Sequence, residues 1–250
     1  MRGRVNRRVF IVLVSLAYLA VMCGFVEACR PPSIRILSPK EMVYAMKSVP
    51  LVFTVDKATS WIGYSLDGQA NITISGNTTL TGLEEGEHWI IVYAKDTAGR
   101  MGASCKVYFS VDTVPPNITS ICQFPPEDNV LPEDEVEVNA TVTDDVSGVK
   151  HVTLFYAYAN TSGIWIGTVQ MTNIEADIWS ATIPSLPYCT NVTYAILAED
   201  NVGNIITTVE MGYSIQYHVI PEFPSFLILL ILIIATLLTT LFCKRKQCKT

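Results

Sequence analysis

Side chains able to do chemistry are sparse in this 250-residue sequence. There are three histidines, His88, His151 and His218, and none has a second metal ligand at the short spacing that zinc sites use. His88, in "EGEHW", reads as a surface residue at a strand entrance. Of seven cysteines, Cys29, Cys105, Cys122 and Cys189 lie between two apolar ends, where they allow three pairings. Cross-linking suits them better than nucleophilic catalysis if that part of the chain is exported. Hard oxygen donors occur twice, as Asp144 and Asp145 ahead of Gly148 and as Asp200 and Asn201 ahead of Gly203. Converging oxygens of this kind could hold calcium. Asx turns beside the glycines account for them without a metal, and that is the preferred reading. HExxH, GxSxG, Walker A and Rossmann patterns are absent, so no catalytic residue and no cofactor is assigned. The chain is read as a non-enzyme.

The elements that position these residues lie between two greasy termini. Arg2, Arg4, Arg7 and Arg8 precede the apolar run Val9–Val26, and Val26-Glu27-Ala28 offers a cleavage point after Ala28. Residues 1–28 therefore read as a signal peptide or an uncleaved signal anchor. At the other end Phe226–Cys243 holds eighteen residues without a charge, thirteen of them Leu, Ile or Phe, followed by Lys244-Arg245-Lys246. An eighteen-residue helix spans about 27 Å, close to a bilayer's hydrocarbon core. Residues 226–243 are read as a transmembrane helix and 244–250 as a basic cytoplasmic tail, consistent with positive charge remaining inside. What lies between is expected outside the cell.

That segment carries nine basic and 22 acidic residues, a net charge of −13. Such a surface repels phosphate backbones, which argues against a nucleic-acid partner. Six Asn-x-Ser/Thr sequons fall in the same segment, at Asn71, Asn77, Asn117, Asn139, Asn160 and Asn191, as candidates for N-glycosylation.

Within the segment, hydrophobicity alternates with period two and is cut by turn signals, the pattern of antiparallel strands. "SVPLVFTVD" alternates Val49, Leu51, Phe53 and Val55, and "WIGYSL" meets "QANITI" across the hairpin dipeptide Asp67-Gly68. The organisation then repeats. "PPSI" at Pro31–Ile34 returns as "PPNI" at Pro115–Ile118, and "AKDTAGR" at Ala94–Arg100 returns as "AEDNVGN" at Ala198–Asn204. Two copies of roughly a hundred residues, each with about seven strands, fit tandem β-sandwiches. The expected fold class is all-β, with Ig-like sandwiches over 29–113 and 114–217 and a Pro-rich stalk over 218–225. A short, Pro-stiffened join, "VDTVPPNI", predicts a semi-rigid connection. In the second copy strands are expected at Ile118–Gln123, Glu135–Thr143, Lys150–Ala157, Trp165–Met171, Ile178–Ile183, Asn191–Ala198 and Ile205–Ser214, with Val192, Tyr194, Ile196 and Ala198 on one face. Trp61, Trp89, Trp165 and Trp179 read as core or edge-packing residues, sugar stacking being the sharper alternative.

"PPNITSI", "VTDDVSGVKHVTLFY" and "YAILAEDNVGN" resemble the immunoglobulin-like and fibronectin type III-like repeats of archaeal and bacterial surface proteins. "IGYSLDGQANITISGNTTLTGLEEGEHWIIVYAKDTAG" is similar to another Ig-like repeat of archaeal exported proteins. The resemblance covers most of residues 31–217. It implies that first and last strands share a pole, and hence the disulfides Cys29–Cys105 and Cys122–Cys189. It also implies that the loops bearing Asp144 and Asp200 cluster at one pole. Lipidation of Cys29 is the competing idea, and "VEAC" makes a poor lipobox.

The ending "PEFPS", an apolar helix and "KRK" resemble the archaeal PEF-CTERM sorting signal, with Pro221, Glu222, Phe223 and Pro224 at the motif positions. The resemblance implies an archaeosortase-type transpeptidase that removes the helix and attaches the new C-terminus to a lipid. A plain anchor with a proline stalk is the other reading. Either way the expected protein is tethered to the cell membrane with its ectodomain outside. Its expected role is structural or adhesive, with envelope or S-layer proteins or glycans as partners. A sugar- or peptide-binding accessory module of an exported enzyme or transporter assembly is the alternative.

Overall fold

The structure, a computed structural model, describes residues 30–160, 163–220 and 232–237. The described residues are 58% strand with almost no helix, as the period-two patterning predicts. It divides between Val114 and Pro115 into two compact units.

Unit one contains β1 (Ile34–Ser38), β2 (Val43–Tyr44), β3 (Ser48–Val55), β4 (Thr59–Leu66), β5 (Ile72–Ile74), β6 (Thr78–Thr81), β7 (Gly86–Asp96), β8 (Met101–Ala103) and β9 (Val107–Val111). They form two sheets, ordered β1-β3-β6 and β2-β9-β7-β4-β5, with β8 also on β7. Alternation decides which side chains meet between them. Val49, Leu51 and Phe53 from β3 face inward with Ile90, Val92 and Ala94 from β7. The valine, leucine, isoleucine and phenylalanine side chains among them each contribute about 1.5–3 kcal/mol on burial, and Ala94 less. The Asp67-Gly68 turn forms as predicted: both residues have positive φ, 53° and 77°, and the Gln69 amide donates to the Leu66 carbonyl at 2.9 Å. That backbone twist matches the right-handed twist of the flanking strands.

Unit two contains β10 (Asn117–Phe124), β11 (Val136–Thr143), β12 (Val149–Asn160), β13 (Gly163–Gln170), β14 (Thr172–Glu175), β15 (Ile178–Ile183), β16 (Asn191–Asp200), β17 (Ile205–Thr207) and β18 (Ile215–His218). Its sheets run β10-β11-β15-β14 and β13-β12-β16-β17, with β18 also on β16. Val136, Val138, Ala140 and Val142 from β11 pack against Val192, Tyr194, Ile196 and Ala198 from β16, the four residues expected on one face. This is the strand order of an Ig-like or fibronectin type III-like sandwich.

Three features depart from the sequence reading. In each unit the first segment leaves one sheet and joins the other: β2 pairs parallel with β9, and Val130 bridges Val219 in parallel. The stretch expected as one strand over Ile205–Ser214 holds only β17 and a turn over Thr208–Ser214, and the next strand, β18, begins beyond it at Ile215. β14 is an additional edge strand that period-two patterning does not reveal, because all four of its residues are exposed.

The repeat extends to hydrogen bonds. Asp96 Oδ1 accepts from the amides of Ala98 and Arg100, and Asp200 Oδ1 accepts from those of Val202, Gly203 and Asn204. Gly99 and Gly203 supply the positive φ, 84° and 98°. Eight residues past each aspartate, Ser104 Oγ accepts the Val92 amide and Thr208 Oγ1 accepts the Ile196 amide, both at 3.0 Å. In both units the last strand breaks at that hydroxyl residue.

Candidate binding surface

In unit two β12 and β13 form a hairpin paired without a register shift from Thr153↔Gln170 to Asn160↔Gly163. Val152 and Leu154 are sealed in the core, and further along the same face Tyr156 and Tyr158 become partly exposed. Tyr158 pairs with Trp165, and the rings of Tyr156, Tyr158 and Trp165 form a stacked row with centroids 6.5 and 6.4 Å apart. Gly167, opposite Tyr156, makes room: a Cβ there would run into the Tyr156 ring. On the opposite face Ala157 pairs with Ile166 and Ala159 with Ile164. Ile164 and Ile166 are 77% and 79% exposed and Trp165 51%, so this edge presents apolar side chains on both faces.

The Thr208–Ser214 turn, longer than its counterpart at Ser104–Lys106 in unit one, overhangs the outer face of the same sheet. Val209 and Tyr213 from that turn meet Phe155, Ala157, Ile166 and Ala195 in an open, mainly apolar cleft of about 300 Å³. A second cleft of about 290 Å³ lies along β10, between Cys122, Gln123, Tyr194, Tyr213 and Ile215. There the Tyr194 hydroxyl donates to Gln123 Oε1 at 3.0 Å, and burial pushes the Tyr194 phenol well above its ordinary range.

The oxygen-rich loops do meet. The Asn201 side chain donates to the Ser147 and Gly148 carbonyls at 2.7 and 3.0 Å, and carboxylate oxygens of Asp144 and Asp200 lie within 4.8 Å of each other. Asp144 Oδ1 accepts the amides of Ser147 and Gly148, so both aspartates form the Asx turns expected of them. Asp145 is exposed in the same loop.

Cys105, Cys122 and Cys189 are free and exposed, so the expected Cys122–Cys189 bond is not formed. Cys122 sits beside Tyr194, whereas Cys189 occupies the turn ahead of β16, where its amide donates to the Val219 carbonyl. Tyr194 lies about 10 Å along β16 from its start at Asn191, and Cys189 lies before that start, in the turn. A disulfide needs Cα atoms within about 7 Å. Cys29, expected to pair with Cys105, lies outside the described residues, as do the PEF positions Pro221, Glu222, Phe223 and Pro224. Of the expected membrane span 226–243, residues 232–237 are described and are helical. Among the described residues no helix is long and apolar enough to cross a membrane.

Four sequon asparagines, Asn71, Asn77, Asn117 and Asn191, are exposed. Asn139 is half-buried in the middle of β11 and donates to Glu137 Oε1 at 3.1 Å, while its own Oδ1 is buried without a partner. The Asn160 side chain lies outside the described residues.

The reading of His88 as a surface residue is overturned. It is buried, with Nδ1 2.8 Å from Asp67 Oδ2 and Nε2 2.9 Å from the Glu84 carbonyl. The other two histidines are exposed, and His218 Nδ1 bonds to Asn191 Oδ1 at 2.7 Å. Among the tryptophans, Trp179 packs partly buried against the core, Trp61 donates to Thr73 Oγ1, and Trp89 lies under the Lys106 ammonium at 3.8 Å. Trp165 is the exposed one.

No protein-family model matches the chain, and no curated protein matches it. Among solved structures it is similar to the fibronectin(III)-like modules of Clostridium thermocellum CbhA, at 16% identity and a TM-score of 0.36, over 75% of this chain and 94% of that one. It is also similar to a run of titin domains, at 16% identity and a TM-score of 0.43, over 77% and 67% of the two chains. A third match is a 1.5-MDa bacterial ice-binding adhesin, at 13% identity and a TM-score of 0.38, over 76% and 64%. The sandwich assignment rests on the strand order and registers above and not on these superpositions.

Proposed function

We propose that this chain is a membrane-tethered cell-surface protein with a non-catalytic structural or adhesive role. The observation that carries the reading is the β12–β13 edge, where Ile164, Trp165 and Ile166 stand exposed on a segment that is otherwise strongly acidic. Exposed apolar surface of this kind marks a contact with another macromolecule. The apolar runs Val9–Val26 and Phe226–Cys243 would hold both ends at the membrane before processing, with the sandwiches outside. Protease added to intact cells should then degrade the chain; survival in intact cells with loss after lysis overturns that placement. In this reading Pro221–Pro224 forms a sorting signal, and Pro221 and Pro224 keep the segment extended for a transpeptidase. Mass spectrometry of the mature protein should find no peptide spanning Leu237–Lys246, and its presence in most copies indicates a retained anchor.

One observation favours the accessory-module reading. The Tyr158 and Trp165 rings lie within 19° of parallel at an exposed edge, a platform on which a pyranose ring could stack. A glycan array decides this: sugar-specific binding lost in Trp165→Ala supports the module, and no binding leaves the structural role.

A further inference from the structure

We infer that β13 is the pairing edge through which two copies of this chain associate, forming a continuous antiparallel sheet across a two-fold axis. An unpaired strand edge invites another strand, and proteins blunt such edges with shortness, bulges, charge or proline. Among the described residues the other edges carry these devices. β2, β5, β6, β17 and β18 have four residues or fewer. β1 is bulged and carries Arg35, and β14 is bulged and carries Glu175. β10 is bulged beyond Thr119 and runs into Pro125-Pro126. β13 has none of them: it is eight residues long, "GIWIGTVQ", regular along its length, and free of charge and proline.

Charge and symmetry select the occupant. Copies carrying a net −13 between their apolar ends repel one another over most of their surface, and the stretch Val152–Gln170, which has no charged residue, is a place where they can approach. A two-fold axis requires one strand to complement itself, and β13 does so when the axis passes Ile166. Ile166 then faces its own copy, Ile164 faces Thr168, and Trp165 faces Gly167. Because Gly167 has no side chain and lies beneath the Tyr156 ring, the incoming Trp165 extends the stacked row of Tyr156, Tyr158 and Trp165. This inference rests on the structural or adhesive reading and names its partner, a second copy.

The test is sedimentation of the full chain in mild detergent. Wild type is expected to form a dimer, and Ile166→Lys, which opposes two ammonium groups on the axis, to weaken it at least tenfold. Ile205→Lys, at an exposed position on β17, should leave the dimer intact. Mixing Ile166→Lys with Ile166→Glu should restore a mixed dimer, which misfolding cannot imitate. A monomeric wild type, an unchanged Ile166→Lys dimer, or a chain that captures a soluble glycan on this edge while staying monomeric overturns the inference. Failure here leaves the surface placement standing, since protease accessibility in intact cells decides that separately.

Discussion

His88 Nδ1 lies 2.8 Å from Asp67 Oδ2 while His88 Nε2 lies 2.9 Å from the Glu84 carbonyl, so both ring nitrogens face acceptors. Both bonds form together when each nitrogen carries a proton, that is, in the imidazolium. Asp67 also accepts the Trp89 amide through its other oxygen, which ties the β4–β5 turn to β7. Burial disfavours the charged ring, but the Glu84 carbonyl and the Asp67 carboxylate outweigh it, and the pKa of His88 is raised.

Unit one should therefore lose stability on the alkaline side. A raised folded-state pKa contributes stability that is fully present below the unfolded value of about 6.5 and is lost as pH rises through the folded value. Asp96 and Glu85 work in the opposite direction. The Arg100 amide on Asp96 and the Thr113 hydroxyl on Glu85 hold these carboxyls below their ordinary range. Their contribution is present above about pH 4 and is lost as pH falls further. Thermal melts across pH should show a maximum between these limits, and His88→Ala should flatten the alkaline slope; an unchanged slope contradicts the imidazolium.

The paired turn residues should matter in both units. Asp200→Ala strands the amides of Val202, Gly203 and Asn204 beside a fully buried site. Thr208→Val keeps the shape but leaves the Ile196 amide unpaired. Each should cost about 1–3 kcal/mol, read as a lower melting temperature. Ser104→Ala, at the less buried equivalent in unit one, should cost less.

Gly102→Ala should destabilise unit one by about 1–3 kcal/mol through overpacking. A Cβ at Gly102 would meet the backbone carbonyl of Pro32, which cannot rotate away as a side chain could. Gly76→Ala, where a Cβ meets nothing within 4 Å, is the control and should melt as wild type does.

Glycan mapping should separate the sequons. Asn71 is exposed just after the hairpin turn and should be occupied in an N-glycosylating host, whereas Asn139, half-buried in the middle of β11 with its amide bonded to Glu137, should not. Peptide mass spectrometry checks both, and a glycan at Asn139 would require that the unit be modified before it folds.

The sequence alone determined what depends on near neighbours. Period-two alternation assigned Val49, Leu51 and Phe53 to one core and Val192, Tyr194, Ile196 and Ala198 to the other, because side chains on a strand alternate whatever the strand pairs with. The Asp67-Gly68 turn and the Asp96 and Asp200 turns were legible for the same reason: their hydrogen bonds close within a few residues. The tertiary structure decided what depends on partners remote in the chain. Alternation gives the face of a residue but not its height along the sheet, so it could not show that Cys122 lies level with Tyr194 and away from Cys189. It could not bury His88, whose Asp67 partner is 21 residues away, or show that the first segment changes sheets in each unit. The aromatic row is a register effect as well: Tyr158 and Trp165 stack because the β12–β13 pairing sets them opposite each other, with Gly167 leaving the space.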